Sequence, residues 1–433
     1  MSKINSNSYK NPFLYVQKAR KILAKAGYVE FFESDPNWDT SSVNKFFVVR
    51  NDRSIIAINK KDTSSALIVS SHNDSPCLKL KPNTKLNRFG YDQVRVAPYG
   101  SANPANWMDR ELLYAGQVIS TRKNENSDNS NNTAEKHIFV TETATTVVPM
   151  LAKHLSLNAE TYNNELNIHP ITNTQNLEND SLNEKHSGQL LKDLASVAGC
   201  DVEDIIDFDV ALIPAEPTRR IGVSKDMVTG YGLDVLIGSL NALNAFVRAK
   251  DPQTGMNVLA IFDNFQITCL TRAGSKGDFL PAVMERIGFT STSWANSSLL
   301  VLENLSAKNP NMPSTENDPF PARTTCSPQT GIYVHAEMCR SSMANLDMRS
   351  KLNLLASNAK VSINPIPRPA TSYFSIAQDI ESRVNVESAI IGIPIIGLGA
   401  PRELAFSEDI ADMSRFISQF YDGYRLLPSI VNV

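Results

Sequence analysis

Four short apolar runs recur along this chain, and each ends on a residue able either to do chemistry or to turn sharply. Residues 66–70 (ALIVS) lead into Ser71-His72-Asn73-Asp74, 257–262 (NVLAIF) into Asp263, 299–302 (LLVL) into Glu303, and 393–398 (IPIIGL) into Gly399. A short, continuous apolar run bounded by polar residues suits a strand buried on both faces. Helical patterns lie elsewhere. Residues 235–248 read as a helix. Near the N-terminus, Asn11 can cap a helix that starts at Pro12, with Phe13, Val16, Ala19, Leu23 and Ala26 on one face and Gly27 as its stop. Two β-type runs, 45–50 and 54–59, precede the first buried strand. Strands alternating with helices imply a mostly parallel sheet covered on both faces.

The texture changes near Phe89. Residues 89–170 are rich in β-type and turn signals, and 123–136 form a polar, low-complexity loop tip. An amphipathic helix at 189–199 and a strand at 207–213 follow. The expected organisation is an α/β domain made of residues 1–88 and 207–433, interrupted by an inserted β-rich domain over 89–206. With 433 residues, 42% of them hydrophobic, the chain can supply a core for each.

Composition narrows the partners. There are 42 basic and 45 acidic residues, which gives no electrostatic footprint for nucleic acid. No window approaches the roughly 20 apolar residues of a membrane span, and the first residues lack a signal-peptide pattern. Cys77, Cys200, Cys269, Cys326 and Cys339 are scattered without a CxxC pair, as isolated thiols in a reducing compartment would be. The expectation is a soluble, cytoplasmic protein.

In open α/β sheets, ligands bind beyond the carboxyl ends of the strands. That rule selects His72, Asp74, Asp263 and Glu303, with Asp234 at the start of a helix beside them. Any one of these taken alone reads as a turn former or a helix cap. Together they make an imidazole-and-carboxylate set of the kind zinc accepts, although no HExxH motif is present.

Several segments resemble one family in the right order. His72-Asn73-Asp74-Ser75-Pro76-Cys77-Leu78 resembles H-T-D-S-P-C-L, and Asn11-Pro12-Phe13 resembles S-P-F-H without its His. Residues 47–57 resemble F-x-x-R-N-x-S-x-I-A. Val96-Ala97-Pro98-Tyr99-Gly100 and Trp107-Met108-Asp109-Arg110 resemble V-x-P-Y-G and W-F-D-R, and Ala152-Lys153-His154-Leu155 resembles A-x-H-L. Tyr231-Gly232-Leu233-Asp234 stands where R-L-D-N is expected, Asp263-Asn264 opens D-N-E-E, and Asn309-Pro310-Asn311 closes A-D-x-A-H-A-x-x-P-N. On these segments the chain resembles the M18 family of aspartyl-aminopeptidase-type metallopeptidases over residues 11–424.

The resemblance implies a phosphorylase/hydrolase-like zinc-peptidase domain with a mixed, mostly parallel sheet. It also implies a β-rich insert used for dimerisation and assembly. It implies two zinc ions bridged by a carboxylate, with a glutamate as general base on the bound water. His72 matches a metal ligand, Asp74 the carboxylate that orients it, and Asp234 the bridging ligand. Glu303 stands where an Asp ligand is expected. The remaining positions depart from the pattern. Phe265 occupies the general-base position, Gln266 and Ser407 occupy metal-ligand positions, and Ser306 replaces a His. Gly232 and Val235 flank Asp234 where Arg and Asn are expected, and residues 363–374 lack the R-N-D-x-P-C-G loop. Phe265 can neither accept a proton nor hold a water, and a general base alone typically supplies about 10²–10⁴-fold.

The expected protein is therefore a catalytically impaired or inactive M18 homologue, a structural, regulatory or scaffold subunit. It is expected to form a homo-oligomer, by the resemblance a dodecamer, or to co-assemble with an active paralogue. One zinc ion at most is expected, on His72, Asp234 and Glu303. The alternatives are a divergent single-metal aminopeptidase releasing acidic N-terminal residues, with Asp263 the nearest substitute base, and a binding module that reuses the cleft for an amino acid or peptide.

Overall fold

The computed structural model describes residues 7, 9–122, 133–152, 154, 163, 166–174, 185–307, 309–311, 331–335, 344–366 and 375–428. Cys326, Cys339, residues 367–374, most of the polar segment 123–136, and Lys153 and Leu155 of the A-x-H-L segment lie outside them. By compactness the chain forms two units. One comprises Met1–Leu14, Ser75–Pro217 and Gly399–Pro401; the other comprises Tyr15–Asp74, Thr218–Leu398 and Arg402–Val433.

The larger unit is built on a nine-stranded mixed sheet. In spatial order its strands are Val29–Phe31, Lys45–Arg50, Ser54–Lys60, Met256–Phe262, Ala66–His72, Ser298–Leu302, Glu387–Gly392, Ile332–His335 and Ile363–Ile366. Ala66–His72 lies between Met256–Phe262 and Ser298–Leu302 and is parallel to both. All seven of its residues are buried. Alternate side chains serve opposite faces, as a pleated strand requires. Ile68, Val258, Phe262 and Leu299 join the core beneath the helices Phe279–Arg286 and Ile376–Glu381. Val69, Leu259 and Leu300, also fully buried, point the other way. Each such side chain contributes roughly 1.5–3 kcal/mol on burial, which explains why these runs occupy the centre.

The first helix, Pro12–Lys25, begins as its residues dictate: Asn11 Oδ1 accepts the Phe13 N–H at 3.0 Å. Gly27, with φ of 86°, ends the turn that follows it. The expected helix at 235–248 is a continuous helical element from Leu233 to Arg248, but it contains a π-turn at Leu236–Leu240. There the Ser239 hydroxyl donates to the backbone oxygen of His72 at 2.5 Å.

The smaller unit is a seven-stranded antiparallel sheet that closes on itself. Its order is Ile205–Pro214, Cys77–Arg88, Tyr91–Tyr99, Ile171–Thr174, Thr146–Val147, Glu111–Arg122 and Thr133–Val140, and Ile205–Pro214 pairs again with Glu111–Arg122. Its limits differ from the expected 89–206. Its sheet begins at Cys77 and runs to Pro214, so the expected strand at 207–213 belongs here and not to the α/β unit. Apolar alternation identifies a strand but does not say which sheet will pair with it. Phe89 lies at the tip of a two-residue hairpin, where Phe89 and Gly90 both have positive φ, 52° and 80°.

One other expected strand is displaced. Residues 393–398 are not a strand of the large sheet, which uses Glu387–Gly392 instead. Of the expected run, Pro394–Ile395 pairs with Leu305–Ser306. The two chains stay paired through this step, with the Leu305 N–H donating to the Ile393 oxygen and the Ala307 N–H to the Ile395 oxygen, and they approach closely at Gly392. A Cβ there would stand 2.1 Å from the backbone oxygen of Glu303 and 2.8 Å from Asn304 Cα. Only a residue without a side chain lets the two chains run this close. Gly392→Ala is expected to cost about 2 kcal/mol or more through forced displacement of the Glu303-Asn304 segment, measured as a lower urea midpoint at unchanged m-value.

Candidate functional site

In-register pairing sets His72 beside Phe262, at the carboxyl ends of two adjacent parallel strands. The residues that follow these ends are therefore neighbours. His72 is buried, 1% exposed. Its Nε2 lies 3.0 Å from Asp234 Oδ2, and its Nδ1 lies 3.0 Å from the Asp74 backbone oxygen and 3.5 Å from Asp74 Oδ1. Phe265 rests flat on the imidazole, ring centroids 4.3 Å apart with 10° between the planes.

Asp74 holds the segment that carries this ring. Its Oδ1 accepts the Phe265 N–H at 3.1 Å and its Oδ2 the Gln266 N–H at 2.9 Å. These are the first two residues of the 3₁₀ turn Phe265–Ile267, entered through Asn264 in the left-handed region. Each carboxylate oxygen thus has a backbone donor.

Asp234 lies in the short helical turn Leu233–Val235, entered through Gly232 at a φ of 68°. Its Oδ1 accepts from Asn304 Nδ2 at 2.8 Å, and its N–H donates to Glu403 Oε2 at 3.3 Å. Burial pushes against a charged imidazole, yet the charge and hydrogen bond of Asp234, with help from Asp74, hold His72 well above its ordinary value. Burial also pushes Asp234 upward, and His72 and Asn304 override it, holding Asp234 below the usual carboxylate range. The two form a buried ion pair.

The other sequence-selected residues lead elsewhere. Glu303 Oε1 accepts from Ser375 Oγ at 2.8 Å and from the Ile376 N–H at 2.9 Å, so this carboxylate caps the helix Ile376–Glu381. Asp263 Oδ2 lies 3.1 Å from Arg53 Nη1, and its N–H donates to Ser54 Oγ. The Ser407 hydroxyl donates to the Asp226 backbone oxygen at 2.9 Å. Gln266 is half-buried and Ser306 exposed. Among the described residues, no group of three or more His, Cys, Asp or Glu side chains could hold a metal ion. Zinc needs lone pairs converging on one point. Here His72 Nε2 faces a carboxylate, both Asp234 oxygens have partners, and Glu303 caps a helix. The residues as arranged do not fit the ion.

Asn304 and Glu403 are absent from the sequence-selected residues. Asn304 directly follows Glu303 at a strand end and is in reach of the same rule. Glu403 carries no local signal, since it is 169 positions from the Asp234 N–H it accepts.

The chain is similar to known proteins over nearly its whole length. A family model described as aminopeptidase I zinc metalloprotease (M18) matches residues 5–421. The chain is 25% identical to an aspartyl aminopeptidase of Caenorhabditis elegans, over 96% of this chain and 93% of that one. It is 26% identical to a probable M18 family aminopeptidase 2 of Ectopseudomonas mendocina, over 97% of each. A solved structure of the S. cerevisiae mApe1 dodecamer is similar with a TM-score of 0.79 at 23% identity, covering 96% of this chain and 95% of that one.

Two measurements test the geometry. Glu303→Ala strands the Ser375 hydroxyl and the Ile376 N–H, and is expected to cost about 2 kcal/mol in urea unfolding. Glu303→Gln keeps an acceptor at Oε1 and is expected to recover most of that loss. The second concerns pH. His72, with its value raised, contributes stability that is complete below about 6.5 and lost as pH rises through the raised value. Asp234, with its value lowered, contributes stability that is complete above about 3.9 and lost as pH falls through the lowered value. The stability gap between wild type and Asp234→Asn is expected to hold steady between about pH 4 and 6.5, to shrink below about pH 4, and to shrink as pH rises above about 6.5.

Proposed function

The chain belongs to the aminopeptidase I zinc metalloprotease (M18) family, and from that membership we propose that it is a catalytically inactive homologue serving as a structural or regulatory subunit of a homo-oligomer. The observation that carries this reading is Phe265, whose ring lies parallel to the His72 imidazole at 4.3 Å. Peptide hydrolysis needs a proton acceptor beside the attacking water. Phe265 has none. Gln266 offers only a neutral amide, and Asp263, the nearest substitute, is held by Arg53. A family strand-end site without a base supports retention of the fold for something other than turnover.

Assembly follows from the kinship. A relative of this fold is described as a dodecamer. In the smaller unit Phe89, Leu151 and Ile206 are 97%, 61% and 55% exposed, apolar area that an oligomer contact would cover. We take the partner to be further copies of this chain, with co-assembly with an active paralogue as the competing outcome. A cytoplasmic setting agrees with Cys77, Cys200 and Cys269, none of which forms a disulfide with another described residue. Among the described residues no helix is long and apolar enough to cross a membrane. At most one zinc ion per chain is expected, since Gln266 and Ser407 stand at positions where the family resemblance calls for metal ligands.

The test is hydrolysis of an acidic aminoacyl substrate with added zinc, manganese or cobalt, beside metal content by mass spectrometry. No turnover and no more than one metal per chain are expected. Phe265→Glu with Gln266→Glu is expected to stay inactive, because Ser407 still offers its hydroxyl to Asp226. Two tightly bound metals, or turnover within about tenfold of the ~10 s⁻¹ typical of enzymes, would sink the reading. Light scattering is expected to show a multiple of the 47.7 kDa chain.

A further inference from the structure

We propose that a basic cleft at the other end of the large sheet, lined by Lys45, Lys60 and Lys61, binds a small dianion with an organic body, a phosphate monoester or a dicarboxylate. The cleft has a volume of about 540 Å³, and its charged lining consists of these three lysines and Asp251. Its place follows from strand register. Lys45 opens the strand Lys45–Arg50, and Lys60 closes the antiparallel neighbour Ser54–Lys60. Lys60 pairs in turn with Met256, the first residue of Met256–Phe262. Met256 also pairs with Ala66, whereas His72 pairs with Phe262. A strand of this length rises about 20 Å, so the cleft and the His72 cluster stand at opposite ends of the sheet.

Three ammonium groups face one carboxylate, which leaves two positive charges. Asp251 is committed to Lys45. Its Oδ1 lies 2.7 Å from Lys45 Nζ and accepts Asn59 Nδ2 at 3.0 Å. Lys45 and Asn59 hold Asp251 below the usual carboxylate range. Lys60 Nζ donates to the Thr40 backbone oxygen at 2.6 Å, which fixes a half-buried ammonium with two further N–H bonds to offer. Lys61 is exposed, and its ammonium has no partner among the described residues. Its backbone is pinned, because the Lys61 N–H donates to the Gly255 oxygen at 2.9 Å. Although consecutive, Lys60 and Lys61 both line the cleft, since the strand ends at Lys60 and the chain bends at Lys61. A cleft lined by one sign of charge concentrates counter-ions, and groups already held in place lose little freedom on binding one.

Size and walls describe the rest of the ligand. Small-molecule sites commonly run from about 300 to 1,000 Å³, and a bare phosphate would leave most of this cleft unfilled. Val29, Val43 and Pro252 supply apolar surface, and Asn44 and Gln253 supply amides. Those groups suit an uncharged organic body carried by the dianion.

The experiment is calorimetric titration of the full-length protein with adenosine monophosphate, succinate and inorganic phosphate. Ionic strength is matched, at about pH 7.5, where phosphate esters are dianions. One of the two organic dianions is expected to bind at a single site per chain with a Kd below about 1 mM, and which one binds identifies the source of the charge. Inorganic phosphate is expected to bind at least about tenfold more weakly. Lys60→Met and Lys61→Met are each expected to weaken binding about tenfold. Lys225→Met, in the separate hairpin of Arg219–Ile221 and Met227–Gly230, is expected to leave the Kd unchanged. No saturable uptake of either organic dianion up to about 10 mM overturns the proposal. So does Lys61→Met protein that binds as wild type does, or inorganic phosphate that binds as tightly as the organic anions. If Lys60→Met does not fold, Lys61→Met still decides, because its exposed side chain holds nothing in place.

Discussion

Parallel pairing of Ala66–His72 with Met256–Phe262 on one side and Ser298–Leu302 on the other sets up everything at the carboxyl end of the sheet. These strands are buried on both faces, so their register is held by apolar packing that a one-residue slip would reverse. Once it is held, His72, Asp263 and Glu303 have no freedom to stand apart. They emerge at neighbouring strand ends, all at least 95% buried. The sheet thus creates a problem of charge burial before it creates a site.

Each buried acid solves that problem with a named donor. Asp74 takes two backbone N–H groups of the Phe265 turn, Asp263 takes Arg53, and Glu303 takes Ser375 and the Ile376 N–H. Asp234 takes His72 and Asn304. An unpartnered carboxylate in this setting would cost several kcal/mol or would protonate. In a metallopeptidase of this family, metal charge is the expected answer to such a concentration of carboxylates. Here peptide N–H groups, the Ser375 hydroxyl, the Asn304 amide, the Arg53 guanidinium and the His72 ring answer it.

Much of this was legible in the residues. Apolar runs of four to six residues located the central strands because a doubly buried strand needs continuous hydrophobicity. Asn11, Pro12 and Gly27 bounded the first helix because capping chemistry is local. His72, Asp234 and Phe265 were each singled out by position in a motif, and the structure brings the three together. The barrel limits were not legible. Residues 207–213 read as a strand, but its partners Cys77–Arg88 and Glu111–Arg122 lie far along the chain. Residues 393–398 mislead for a similar reason: the apolar pattern continues past Gly392, but there the chain pairs in a separate two-stranded sheet, Pro394–Ile395 with Leu305–Ser306.

The sequence by itself determined the family, the α/β class, the strand-end residues, and a side chain without a proton acceptor at position 265. These follow from side-chain chemistry and short-range periodicity. Only the tertiary structure decided where the retained ligand types point. Glu303 could have faced His72 or the Ile376 turn, and the choice depends on a helix start more than 70 positions later. Asn304 could have been a simple turn former, and it became the donor that closes Asp234 because Ile393 fixes its amide orientation. Local pattern names the groups that must be satisfied. Which partner satisfies each one is set by long-range packing, because a buried polar group takes whichever donor the fold delivers within about 3 Å.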